Sequence, residues 1–298
     1  MDTPAATRPN RPLPSIFVSH GSPMIALEPG AAGAFLQRLG PAIDAGFGRP
    51  RAILAVSAHT TAPVPVLLGA ARHAAVYDFG GFDPRLSTLR YDAAGAPELA
   101  GEAAALLARA GIAAQVAPQG GLDHGNWTAL RYLYPDAPIP VLPLAFVPAR
   151  SPRQQFELGE ALAPLRAQGV LVLGTGSITH NLRRVFAGGL DAPRDVPEIA
   201  ESAAFREWFR ARSAAPDWDA LFAYRTLAPH AVDMHPTDEH LLPWFVAAGA
   251  GGRDSQALRL HDSVTFGSLG MDAYAFGPGA LLLAAQLAAQ RARVPAGA

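Results

Sequence analysis

The sequence predicts a single α/β domain with a mostly parallel central sheet, helices on both faces, and an active site at the carboxyl ends of the strands. Three observations predict it. Short apolar or β-branched runs alternate with longer helical patterns, and no stretch repeats or reads as a linker. Half of the 298 residues are hydrophobic against 16% charged, ample material for one core.

The opening residues, MDTPAATRPNRPLP, are polar and proline-rich, so residues 1–12 read as a flexible segment without the apolar core of a signal peptide. Strands are expected at Ser15–Ser19, Ala52–Ser57 and Val64–Leu68, each a compact apolar run. Pro97–Ala110 (PELAGEAAALLARA) reads as a helix, with proline at its start and Gly111 as its stop. A strand at Ile112–Ala117 follows, then the helical pattern NWTALRYLY, a strand at Val141–Val147, a helix over Pro152–Ala167 and a strand at Val170–Leu173. Gly188–Pro197 (GGLDAPRDVP) is rich in turn formers and reads as a surface loop. A last expected strand covers Leu258–Val264. The run Ala280–Ala289 (ALLLAAQLAA) suits either a core helix or a contact in a homo-oligomer, and residues 291–298 read as a tail.

Composition excludes several functions. With 24 basic residues against 25 acidic ones, no net field recruits nucleic acid or an anionic membrane, and no run approaches the roughly 18 apolar residues of a membrane span. A cytoplasmic enzyme acting on a small molecule is the expectation. There is no cysteine, which removes disulfides, thiolate nucleophiles and thiolate-held metals. All the cations are arginine, so Schiff-base, pyridoxal-phosphate and P-loop lysine chemistry are absent as well. Any metal must sit on nitrogen and oxygen.

The placement of the nine histidines supplies such a site. His20 follows SIFVS, His59 follows AILAVSA, and His180 follows VLVLGTGSIT, so three imidazoles reach one edge of the sheet. In open parallel α/β sheets that edge is where ligands bind. Imidazole without thiolate suits Fe(II), Zn(II), Mn(II) or Cu(II), and spacing does not choose among them. In MHPTDEHLLPW, Thr237 or Asp238 could cap a short helix carrying Glu239 and His240 in its first turn, of which one would reach the metal. His124, between Asp123 and Gly125, sits at a helix start as a substrate-contacting or outer group. The loop Tyr77–Pro84 (YDFGGFDP) could wall a pocket for a flat substrate. His235 falls near the same site.

In this order, SHGSP at 19–23, SAH at 57–59, DFGGF at 78–82, DHG at 123–125, THNL at 179–182 and HPTDEHLLP at 235–243 resemble the DOPA-dioxygenase-type branch of the class III extradiol ring-cleaving dioxygenases. The resemblance runs from about Leu13 to Phe276 and makes residues 13–290 the catalytic domain. It implies a mononuclear non-haem metal, Fe(II) in the working enzyme and often zinc in isolated members, and O2-dependent opening of a catechol ring beside its hydroxyls. Carried over, His20, His59 and His240 match the metal ligands. Glu239 is the alternative third ligand, because more distant members use a carboxylate there. His180 matches the catalytic base or a fourth ligand in a zinc form, and His124 matches a substrate-contacting catalytic histidine. Ser22, Phe79 and His235 are the expected substrate-binding residues. Thr60 stands where the branch usually has Trp, Asp92 where Pro is usual, and Asp238 replaces a Pro. Three protein ligands leave up to three positions on an octahedral ion, so His180 reads better as base than as ligand. The competing expectations are a zinc-dependent hydrolase and a non-catalytic metal-binding protein of the same fold.

Overall fold

The computed structural model of the chain describes residues 11–187, 189 and 193–293. Of the expected N-terminal segment 1–12, residues 1–10 lie outside the described residues, as do 294–298 of the tail and positions 188 and 190–192 of the 188–197 loop.

Eight strands form the central sheet: β1 (Ser15–Ser19), β2 (Ala52–Ser57), β3 (Val66–Leu68), β4 (Gln115–Ala117), β5 (Val141–Ala145), β6 (Val170–Gly176), β7 (Leu258–His261) and β8 (Ala273–Phe276). Their spatial order is β4-β3-β5-β2-β6-β1-β8-β7. The centre, β5-β2-β6-β1, is parallel throughout, and antiparallel pairings occur only outside it, at β3/β5, β1/β8 and β8/β7. Every residue of β1, β2, β5 and β6 is buried, as expected for strands covered on both faces.

Side-chain alternation assigns each strand to two cores. In β6, Val170 and Val172 enter one cluster and Leu171 and Leu173 the other; in β2, Leu54 and Val56 oppose Ile53 and Ala55. One face is closed by helices α2 (Pro97–Arg109), α4 (Pro152–Leu162), α5 (Ala200–Ala214) and α6 (Leu242–Gly251). The other is closed by α1 (Gly30–Phe47), α3 (His124–Leu133) and α7 (Ala280–Arg293). In α7, Leu283 and Leu287 are buried while Leu281 is 75% exposed, so this helix serves the core with one face.

Several expected boundaries move for identifiable reasons. The expected helix over 152–167 is two: α4 starts on a capping box between Ser151 and Gln154, and Pro164, which has no N–H to donate, opens a separate turn at Pro164–Ala167. Glu239 and His240 are not in a helix. They lie in a turn in which the Asp238 carbonyl accepts from Leu241 and Leu242, and α6 begins only at Leu242. β8 was not expected; its four residues are too short for a periodicity signal, and they form a strand because β1 offers them an edge.

Candidate metal centre

The parallel centre of the sheet delivers the site. His20 is the residue after β1, and its backbone N–H donates to the Gly176 carbonyl at 3.0 Å, tying it to the end of β6. His59 stands two residues beyond β2 and His180 four beyond β6. The turn bearing His240 is bound to the same strand end, where the Ser177 N–H donates to the His240 carbonyl at 2.9 Å. That approach needs glycine: a Cβ at Gly176 would strike the His240 carbonyl oxygen. His124 opens α3, whose N-cap Asp123 accepts from the Asn126 N–H at 3.0 Å. Gly125 behind it is equally constrained, because a Cβ there would lie 2.8 Å from Cε1 and Nδ1 of His20.

Five imidazoles meet at this point. Ring centroids separate His20 from His59 by 5.0 Å, from His124 by 5.5 Å and from His240 by 5.6 Å, while His59 lies 4.0 Å from His124 and 4.9 Å from His240. Donor atoms of His20, His59 and His124 fall within 4.8 Å of one another, and those of His180, Glu239 and His240 form an adjoining group of the same span. The Nε2 atoms of His20 and His59 are 3.1 Å apart. At a metal–nitrogen length of about 2.1 Å that separation subtends roughly 95° at a shared ion, close to the cis angle of an octahedral centre. The donor set therefore fits a nitrogen-ligated first-row metal.

Electrostatics keeps the lone pairs available. Burial, reinforced by the neighbouring imidazoles, pushes His20 and His240 well below the usual histidine range. Burial likewise lowers His59 to about 4 and His180 to about 3. Neutral imidazoles are what a metal requires. His180 lies face to face on His240, with centroids 3.4 Å apart and planes at 9°.

Carboxylates hold two of the rings. Glu239 Oε1 accepts from His240 Nδ1 at 3.1 Å and from Thr237 Oγ1 at 2.9 Å. Asp78, in the aromatic loop, meets both the backbone N–H and Nδ1 of His124. Neither Asp78 nor Ser57 was expected in the site from sequence. Ser57 donates to Asp123 at 2.7 Å, and Thr60, the residue in place of Trp, donates to the same carboxylate. Phe79 packs edge-on against His124 at 5.6 Å and against Phe82 at 5.9 Å, and Phe82 reaches Phe186 at 6.4 Å.

The remaining expected substrate residues are placed differently. Ser22 adjoins His20, but its hydroxyl accepts from the Met24 N–H and caps the turn at Pro23–Ala26. His235 packs into the core. It is fully buried, its Nε2 lies 2.7 Å from the Ile178 carbonyl, and its ring packs on Phe205 and Tyr224. Asp238 is turned away as well, onto the Tyr224 hydroxyl and Arg225.

Imidazole nitrogens converging at the open edge of a parallel sheet mark a metal-dependent enzyme that works without thiolates. Comparison with known proteins specifies which. Residues 14–277 match the family model for the catalytic LigB subunit of aromatic ring-opening dioxygenase. The chain is 35% identical over 265 residues to a 4,5-DOPA dioxygenase extradiol of Beta vulgaris, covering 88% of this chain and 96% of that one. It is 31% identical over 264 residues to a protein of the same description from Escherichia coli (strain K12), covering 87% and 93%. The crystal structure of an uncharacterized protein from Escherichia coli K12 superposes with a TM-score of 0.69 at 26% identity, covering 89% of this chain and all of that one. The chain belongs to the LigB family of aromatic ring-opening dioxygenases, and within it to the DOPA-dioxygenase type of class III extradiol enzymes. Its chemistry is metal-dependent opening of a catechol-like ring with O2, which sets aside the hydrolytic and non-catalytic alternatives. Among the described residues no helix is long and apolar enough to cross a membrane.

Proposed function

We propose that His20, His59 and His240 hold a single Fe(II), with zinc as its substitute in isolated protein, that His180 is the catalytic base, and that His124 contacts the substrate. The observation that carries this reading is the pair of Nε2 atoms of His20 and His59 at 3.1 Å, with His240 inclined at 55° to His20 and 78° to His59. Rings so inclined can aim their lone pairs at a common point. The near-parallel stacking of His180 on His240 supports His180 as base over fourth ligand, since rings so stacked aim poorly at one ion. Glu239 supports the set from outside by accepting from His240 Nδ1, which leaves Nε2 as the ligating atom.

Fe(II), when bound, supplies the redox route between a closed-shell aromatic and triplet oxygen. The chain does the rest. His180, held neutral by burial, can accept the proton of a catechol hydroxyl and later return it. The Phe79–Phe82–Phe186 edge offers an apolar wall for the ring. The substrate is a small catechol, and the relatives named for 4,5-DOPA make that amino acid the first candidate. Cytoplasmic residence belongs to the same reading and is checked by cell fractionation.

Iron loading under anaerobic conditions, followed by air and a panel of catechols including DOPA, should consume oxygen and yield a yellow ring-opened semialdehyde. Absence of oxygen uptake across the panel sinks the reading. Metal analysis after dialysis distinguishes the third ligand: His240→Ala should lose the ion, while Glu239→Gln and His124→Ala retain it. Loss in His124→Ala with retention in His240→Ala would move the metal to the His20, His59 and His124 group.

A further inference from the structure

The loop Tyr77–Pro84 reaches the site through a single carboxylate. Asp78 Oδ1 lies 2.9 Å from the backbone nitrogen of His124 and 3.0 Å from its ring Nδ1, and the other carboxylate oxygen stands 3.9 Å from Nδ1 of His59. The oxygen nearest the ring already accepts from the backbone N–H, so it stands as an acceptor at this contact. An oxygen that accepts from the backbone N–H accepts from the ring as well, so Nδ1 of His124 carries a proton, and in the neutral imidazole Nε2 keeps its lone pair.

We propose that Asp78 is a positioning residue that fixes His124 as its Nδ1–H tautomer, so that His124 meets the catechol as a hydrogen-bond acceptor for a ring hydroxyl and not as a donor. The proposal rests on the reading of His124 as the substrate-contacting histidine. The same carboxylate sets the aromatic wall. Phe79, the next residue, is held edge-on to His124 with planes at 88° and lies 6.4 Å from Trp127 of α3, so one bond pair fixes both the polarity of the acceptor and the position of the apolar surface beside it. Glu239 and His240 form a comparable pair between chain neighbours, whereas Asp78 and His124 are 46 residues apart and their bond closes a loop.

A purely structural role is the alternative to be tested, because Asp78 also satisfies an orphan N–H in the first turn of α3. Nitrogen NMR of 15N-histidine-labelled, zinc-loaded full-length protein separates the two, with the His124 signals identified by their loss in His124→Ala. In the wild type, Nδ1 of His124 should show the shift of a protonated nitrogen and Nε2 that of an unprotonated one. Asp78→Ala should produce a mixture of tautomers with metal content and circular dichroism unchanged. Asp78→Asn, whose carbonyl can still accept from both donors, should restore Nδ1–H. In iron-loaded protein, kcat should fall roughly 10–100-fold in Asp78→Ala and recover to within about 10-fold in Asp78→Asn. An Nε2–H tautomer in the wild type, or a His124 ring unmoved by Asp78→Ala, overturns the proposal. If the tautomers behave as expected but the wild type opens no catechol, the hold of Asp78 on the ring stands and the catechol reading fails.

Discussion

Among single residues, His180 is the most informative. Stacked on His240, it is kept neutral near pH 7 by burial, and the stacking favours a role as base over a share of its neighbour's ion. His180→Ala should therefore retain the metal at wild-type stoichiometry while ring opening falls roughly 10²–10⁴-fold, the span usual for loss of a general base. Parallel elemental analysis and oxygen uptake check this; metal loss equal to that of His20→Ala would make His180 a structural ligand. His20, His59 and His180 were legible because each follows an apolar run that reads as a strand. Asp78 was not, since its role depends on a loop folding back across 46 residues, and the one visible trace was a carboxylate set among aromatics in DFGGF.

Elements bring these residues together by close backbone approach. The first turn of α3 lies against His20 so tightly that Gly125 has no room for a side chain. Gly125→Ala should destabilise the protein by about 1–3 kcal/mol, as overpacking does, and should weaken metal retention because the displaced groups are the Ser57 hydroxyl and the His20 ring. Thermal melts with and without metal measure both; an unshifted melting temperature would show that the ring yields freely. The parallel strands were readable from their unbroken apolar runs, and β1 and β2 fall on their expected residues. The segment at Thr237–Leu241 was not, because capping residues followed by leucines signal a helix, whereas Ser177 and Gly176 of the β6 edge hold the His240 carbonyl before the helix can start. His235 lies in the same stretch of chain, and its side chain turns into the core.

Across the whole molecule, the buried imidazoles link folding to acidity. An unfolded chain takes up protons on its histidines below about pH 6.5, while folded His59 resists until about 4 and His180 until about 3. Where the unfolded state binds more protons, stability rises with pH. The metal-free protein should thus lose stability progressively as pH falls from about 6.5 towards 4, and replacing His180 by Asn should flatten part of that slope in denaturant titrations. A slope unchanged by the replacement would place the acid sensitivity elsewhere.

The strand that presents His20 is flanked by β6 and β8, so that Ser15 pairs with Phe276 while Ile16 pairs with Leu173. β1 is thereby clasped by a strand far along the chain. During synthesis the first ligand-bearing strand must wait until Ala273–Phe276 has been made before its second neighbour emerges from the ribosome, and a product terminated short of Ala273 would leave β1 with an open edge beside the very imidazole that the catalytic ion needs.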